Sequence, residues 1–136
     1  MTDESIAYPQ PAEDLTNAPF LEGWRAGALK VQRCGDCALT FFYPRPMCPR
    51  CWSENLHWIE TKGLGRVVSF SIVHRPVHDA FKNQPPVIMA EIALPEGVRL
   101  LARVLADTAA VRIGMNVRLI TADRARAYPL PAFEPA

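Results

Sequence analysis

Cys34-Gly-Asp-Cys37 and Cys48-Pro-Arg-Cys51 are the stretches that decide how this chain folds. Each is a Cys-x-x-Cys pair, and ten residues separate them. A two-residue spacer lets both sulfurs of a pair reach one ion at about 2.3 Å, so the two pairs supply four corners of a tetrahedron. Soft thiolates favour zinc over magnesium or calcium. All four cysteines of the chain are used, and no export signal precedes them, which disfavours disulfides and favours a metal. The expected ligands are Cys34, Cys37, Cys48 and Cys51, holding one structural zinc ion; iron in the same four-sulfur site is the rival. A site closed by four thiolates keeps no position for water or substrate and is structural rather than catalytic. Its task is to fold about thirty residues that cannot bury a core of their own.

Upstream, Asn17-Ala18-Pro19 reads as a helix entry, with Asn17 able to cap and Pro19 in the first turn. Over Pro19–Leu29, Phe20, Leu21, Trp24 and Ala28 fall on one helical face. Such a helix is too short to stand alone and must pack, on its own domain or on another subunit. Residues 1–17 are acidic, contain proline and are weakly apolar, and read as a flexible tail.

Downstream, the period changes to that of strands. Arg66–His74 alternates, with Val68, Phe70 and Ile72 on one face. Val87–Leu94 and Val98–Leu105 are apolar runs joined by Pro95-Glu96-Gly97, a hairpin. Asn116–Ala122 is a fourth strand. A fifth, flanked by proline and therefore expected at an edge, lies around Tyr128–Phe133. Five strands in about 75 residues suit a small barrel of the oligonucleotide-binding type. The fold is thus expected to be mainly β, with a tail over 1–17, a helix and metal-bound unit over 18–60, and a five-stranded barrel over 61–136.

Composition narrows the function. The 136 residues are 49% hydrophobic and 21% charged, enough to bury a core. Thirteen prolines against seven glycines argue against a bundle of long helices. No apolar run approaches a membrane span, and the N-terminus lacks the basic and apolar regions of a secretory signal, so a cytoplasmic protein is expected. Net charge is +1, far from that of a typical nucleic-acid binder. The central strands VIMAEIAL and VRLLARVL lack the stacking aromatics of a single-strand binder. His74 and His78 flank Pro76, which spoils a helical metal pair. No phosphate loop, dinucleotide fingerprint or nucleophile elbow is present.

The order of motifs resembles a known family. Phe20-Leu-Glu-Gly-Trp-Arg-Ala-Gly-Ala-Leu29 is followed by the first knuckle, Tyr43-Pro-Arg-Pro46 and the second knuckle. Then come Gly63-Leu-Gly-Arg-Val-Val-Ser-Phe-Ser71, His74-Arg-Pro76 and Arg112-Ile-Gly-Met-Asn-Val117. This is similar to the DUF35 proteins, over roughly residues 18–136. The resemblance implies an N-terminal helix, a rubredoxin-like zinc ribbon and an OB-fold barrel. It also implies an accessory subunit of thiolase-like or lipid-transfer-protein-like enzymes that process acyl-CoA or related acyl substrates. In those complexes the large partner carries the catalytic residues, and the small chain stabilises it and helps shape its substrate channel. Under that implication the four cysteines carry over as zinc ligands and no catalytic residue does.

Two departures stand out. Many members of that family have glycine after each knuckle, where this chain has Ala38 and Trp52. Glycine relieves strain where the backbone turns back toward the metal, so a slightly distorted ribbon and an exposed contact at Trp52 are expected. Phe20, Trp24, Phe41, Phe42 and Trp52 are the residues expected to meet a partner. Arg33, Arg45, Arg50 and Arg75 are weaker candidates for the phosphates of CoA. A stand-alone barrel that binds CoA or single-stranded nucleic acid is the alternative function.

Overall fold

The computed structural model describes residues 8–75, 79, 86–121 and 128–136. Helix α1 (Ala18–Arg25) leads into β1 (Lys30–Cys34), β2 (Thr40–Phe41) and β3 (Leu56–Glu60). These three strands form an antiparallel sheet with β1 in the middle. Strands β4 (Leu64–Val73), β5 (Val87–Ala93), β6 (Arg99–Val104), β7 (Asn116–Leu119) and β8 (Ala132–Pro135) close into a barrel in the order β4-β5-β6-β8-β7. The expected fold class is the observed one: a helix, a small ribbon and a five-stranded barrel.

The helix is shorter than the sequence suggests. It ends at Arg25 because Gly27 takes φ +93°. The Ala28 N–H then reaches back to the Gly23 carbonyl (2.8 Å) and the Gly27 N–H to that of Trp24 (3.0 Å). This reverse turn satisfies the last carbonyls and needs a left-handed residue that glycine supplies cheaply. Asn17 does not cap with its side chain. Its Oδ1 instead accepts from the Asp14 N–H (2.9 Å) and its Nδ2 donates to the Ala12 carbonyl (2.9 Å), tying the helix to the turn before it. Within the segment read as a tail, residues 8–17 are described. The Tyr8 ring meets Tyr128 edge-on, and Glu13 pairs with Arg25 at 2.9 Å. Residues 1–7 lie outside the described residues.

In the barrel, alternation holds except at one place. The register of β4 on β5 shifts between Val67 and Ser69. Val68 is the extra residue of that bulge, so Val67 is buried in place of Val68, while Phe70 and Ile72 pack against the core. The β5–β6 hairpin turns as expected, with Gly97 at φ +95° and the Leu94 N–H on the Val98 carbonyl (2.9 Å). The fifth strand departs from expectation. Strand β8 is no edge: it pairs parallel with β6 and antiparallel with β7, and Phe133 is wholly buried. Its prolines are tolerated because they flank or end the short ladder. The fourth strand stops at Leu119, and Ala122 lies outside the described residues.

One core serves both parts. Phe20 and Leu21 of α1, Leu29, and Val31 of β1 join Val67, Ile88, Ile92, Val104, Val117 and Phe133 of the barrel in a single cluster. The connection between the parts is pinned as well. The Thr61 N–H and Oγ1 both donate to the Leu29 carbonyl (2.9 Å each), and the Lys62 N–H donates to Glu96 Oε2 (2.9 Å). Among the described residues no helix is long and apolar enough to cross a membrane.

Candidate metal centre

Strand β1 delivers Cys34 at its end, and the chain then turns tightly through Gly35-Asp36. The Cys34 sulfur accepts the N–H groups of Asp36 (3.3 Å) and Cys37 (3.4 Å). The second turn repeats this geometry, with the Cys48 sulfur accepting from Arg50 (3.4 Å) and Cys51 (3.5 Å). The four sulfurs come together as expected. All lie within 4.8 Å of one another, with Cys34–Cys51 at 3.5 Å and Cys37–Cys48 at 3.6 Å. A tetrahedral ion with bonds of about 2.3 Å sets sulfurs about 3.8 Å apart, so the donor set fits one zinc ion. Cys34 and Cys48 are buried and Cys51 is exposed.

The crowded sulfurs differ in acidity. The Cys37 N–H holds the pKa of Cys34 below its ordinary value. The Leu39 N–H, and then the Arg50 guanidinium, hold Cys37 down, to about 6. Cys51 accepts the Ser53 N–H, which pulls its pKa down, but desolvation and the three neighbouring sulfurs outweigh that and push it up to about 12. A divalent cation is the charge that stabilises such a cluster of thiolates.

The strain expected beside each knuckle is present. Ala38 and Trp52 have φ of +65° and +66°, the positive-φ non-glycine positions among the described residues. Each returns its N–H to the first cysteine of its knuckle, Ala38 to the Cys34 carbonyl (3.1 Å) and Trp52 to that of Cys48 (3.0 Å).

The aromatic residues expected at a partner surface divide. Phe20, Trp24 and Phe41 are buried within this chain, at 6%, 2% and 6% exposure. The Trp24 indole N–H reaches the Tyr128 carbonyl (3.3 Å), and its ring packs with Ile120 and Ala132. Phe20 and Trp24 pack against residues of the chain's own barrel, and Phe41 is buried on the two-residue strand β2. Phe42 is half-buried, edge-on to Phe20, and Trp52 is 76% exposed. Tyr43, next to Phe42, is exposed too, and so are Leu101 and Leu130, which were missed from the sequence. With Phe20, Phe42 and Leu100 they line an uncharged notch of about 180 Å³ where helix, ribbon and barrel meet. The signal for Leu101 was available, since it shares the outward face of β6 with Arg99 and Arg103.

The four arginines sit at separate places along the chain. Arg50 lies at the metal centre, its Nη2 donating to the Cys37 carbonyl (2.8 Å). Arg45 is held through its backbone by the buried Gln32, whose amide meets both its N–H (2.8 Å) and its carbonyl (2.9 Å). Arg33 is exposed on β1, and Arg75 follows β4 at the other part of the molecule. None of the four lines the notch or the second cavity, beside Leu64, Arg66 and Asn116. His74 is exposed, and His78 lies outside the described residues.

Comparison with known proteins bears on both parts. A family model described as the ChsH2 rubredoxin-like zinc ribbon domain matches residues 21–57, and one described as the ChsH2 C-terminal OB-fold domain matches residues 58–122. The solved structure titled "Ltp2-ChsH2(DUF35) aldolase" contains a chain that superposes with a TM-score of 0.77 at 34% identity. The match covers 93% of this chain and 98% of that one. The chain belongs to the DUF35 family. The resemblance read from the knuckles and their flanking motifs is thereby borne out. A probable enoyl-CoA hydratase alpha subunit of Thermomonospora curvata is 34% identical over 129 residues, 94% of this chain but 40% of that protein. Benzoylsuccinyl-CoA thiolase subunit BbsA of Geobacter metallireducens is 29% identical over 105 residues, 74% of this chain and 61% of that subunit. The present chain thus corresponds to part of these longer relatives.

Proposed function

We propose that this DUF35 chain is a zinc-binding, non-catalytic subunit of a cytoplasmic complex that acts on acyl-CoA or related acyl substrates. Its large partner is a thiolase-like or lipid-transfer-protein-like enzyme. The observation that carries this reading is the end-to-end likeness to the DUF35 chain of an Ltp2–ChsH2 aldolase. Relatives named as subunits of a hydratase and a thiolase point the same way.

In this reading Cys34, Cys37, Cys48 and Cys51 hold one zinc ion. The metal supplies the positive charge that lets four crowded thiolates coexist, and it fixes the two knuckles. The unit over 18–60 presents Phe42 and Trp52 to the partner, and the barrel over 61–136 backs it. The acid–base and nucleophilic steps belong to the large subunit, and this chain stabilises that subunit and helps shape its substrate channel.

The test is a native mass spectrum of the complex isolated through this chain from the cells that make it. One zinc per small chain, together with a large subunit of thiolase-like sequence, is the expected result. A zinc-loaded chain that emerges alone contradicts the reading.

A further inference from the structure

The two knuckles are tied to each other by side chains as well as by any shared ion. From the first, Asp36 receives the Ser53 hydroxyl on Oδ2 and the Asn55 amide on Oδ1 (3.2 Å). The Gly35 N–H adds a bond to the Asn55 carbonyl (2.7 Å). In the other direction, Arg50 of the second knuckle crosses to the Cys37 carbonyl of the first (2.8 Å).

These ties are not equivalent. Asp36, Ser53 and Asn55 fix geometry and bring negative charge to a site that is already anionic. Arg50 fixes geometry and brings positive charge. Four thiolates around a divalent zinc carry a formal charge of about −2, and a nearby cation offsets it. The Arg50 guanidinium reaches that centre through its bond to the Cys37 carbonyl (2.8 Å). Its own backbone N–H donates to the Cys48 sulfur (3.4 Å), so the residue that carries the cation is itself anchored on a ligand.

We infer that Arg50 is a positioning residue of the metal site, its guanidinium holding the first knuckle in place and offsetting the charge of the four-thiolate centre, so that it sets the affinity for the ion. The inference rests on the reading of the four cysteines as ligands. Groups behind metal ligands commonly contribute tenfold to a hundredfold in affinity. Arg50 is exposed, so solvent screens its charge and the low end of that range is expected.

The experiment is titration of the metal-stripped full chain with cobalt(II), read by its thiolate charge-transfer and d–d bands, followed by competition with zinc. Wild type, Arg50→Gln and Arg50→Lys are compared at low and high salt. The expected result is affinity about tenfold lower for Arg50→Gln at low salt, narrowing at high salt, and restored in Arg50→Lys. The d–d bands are expected to keep the same tetrahedral shape in all three. Equal affinities for wild type and Arg50→Gln, within twofold, overturn the inference. So does a loss in Arg50→Gln that Arg50→Lys does not recover. If wild type gives no thiolate charge-transfer band, the ligand reading fails first, and the inference falls with it.

Discussion

Ala38 and Trp52 are the residues at which local conformation and side chain disagree. Both sit at positive φ next to a knuckle, a conformation that costs a residue with Cβ roughly 1–2 kcal/mol. Ala38→Gly and Trp52→Gly are therefore expected to stabilise the zinc-loaded protein by about 1 kcal/mol each, measured by urea denaturation. A decrease in stability for both would show that the turns bear no strain. Trp52 is 76% exposed, so its replacement forfeits little packing. If it docks on the partner as proposed, Trp52→Gly raises the stability of the free chain while loosening the complex. Both positions were visible in the sequence as departures from glycine. The roles of Gln32, Ser53 and Asn55 were not, because a polar residue's partner many positions away leaves no periodic trace.

Among the elements, the ribbon and the barrel depend on metal unequally. The base of the ribbon shares its core with the barrel through Leu29 and Val31. The knuckles beyond it contribute two buried residues, Cys34 and Cys48, both of them proposed ligands. Chelation is expected to release the amide protons of Ala38, Cys48 and Trp52 to rapid exchange. The Leu105 amide, bonded to the Phe133 carbonyl at 2.7 Å, should stay protected. Equal loss of protection in both sets would mean that ribbon and barrel unfold together. Element existence was readable from the sequence: the helix, the hairpin and all five barrel strands follow from period and turn residues. Three details were not. The bulge at Val68 exchanges which neighbour is buried, and alternation alone cannot place a one-residue slip. The helix stops at a left-handed Gly27 that also fits a weak helical residue. Strand β8 became interior because the barrel closes, a long-range pairing that its prolines argue against locally.

For the whole molecule, the distribution of apolar surface fits a subunit more readily than a solitary binder. The large apolar side chains of the helix are consumed inside, yet Tyr43, Leu101 and Leu130 remain exposed around an uncharged notch. Two outward arginines of the barrel face carboxylates, Arg118 with Glu134 at 2.8 Å and Arg99 with Glu91 at 3.7 Å, so part of its positive charge is locally compensated. The four thiols that gather most of the polar chemistry form a closed set with no place for substrate. The proposed function therefore assigns the chemistry to the partner. The most direct test is turnover of acyl-CoA by three samples: this chain alone, the large subunit alone, and the two recombined. The expected result is no turnover by this chain, little by the large subunit, and full activity on recombination. Turnover by this chain alone would contradict the account.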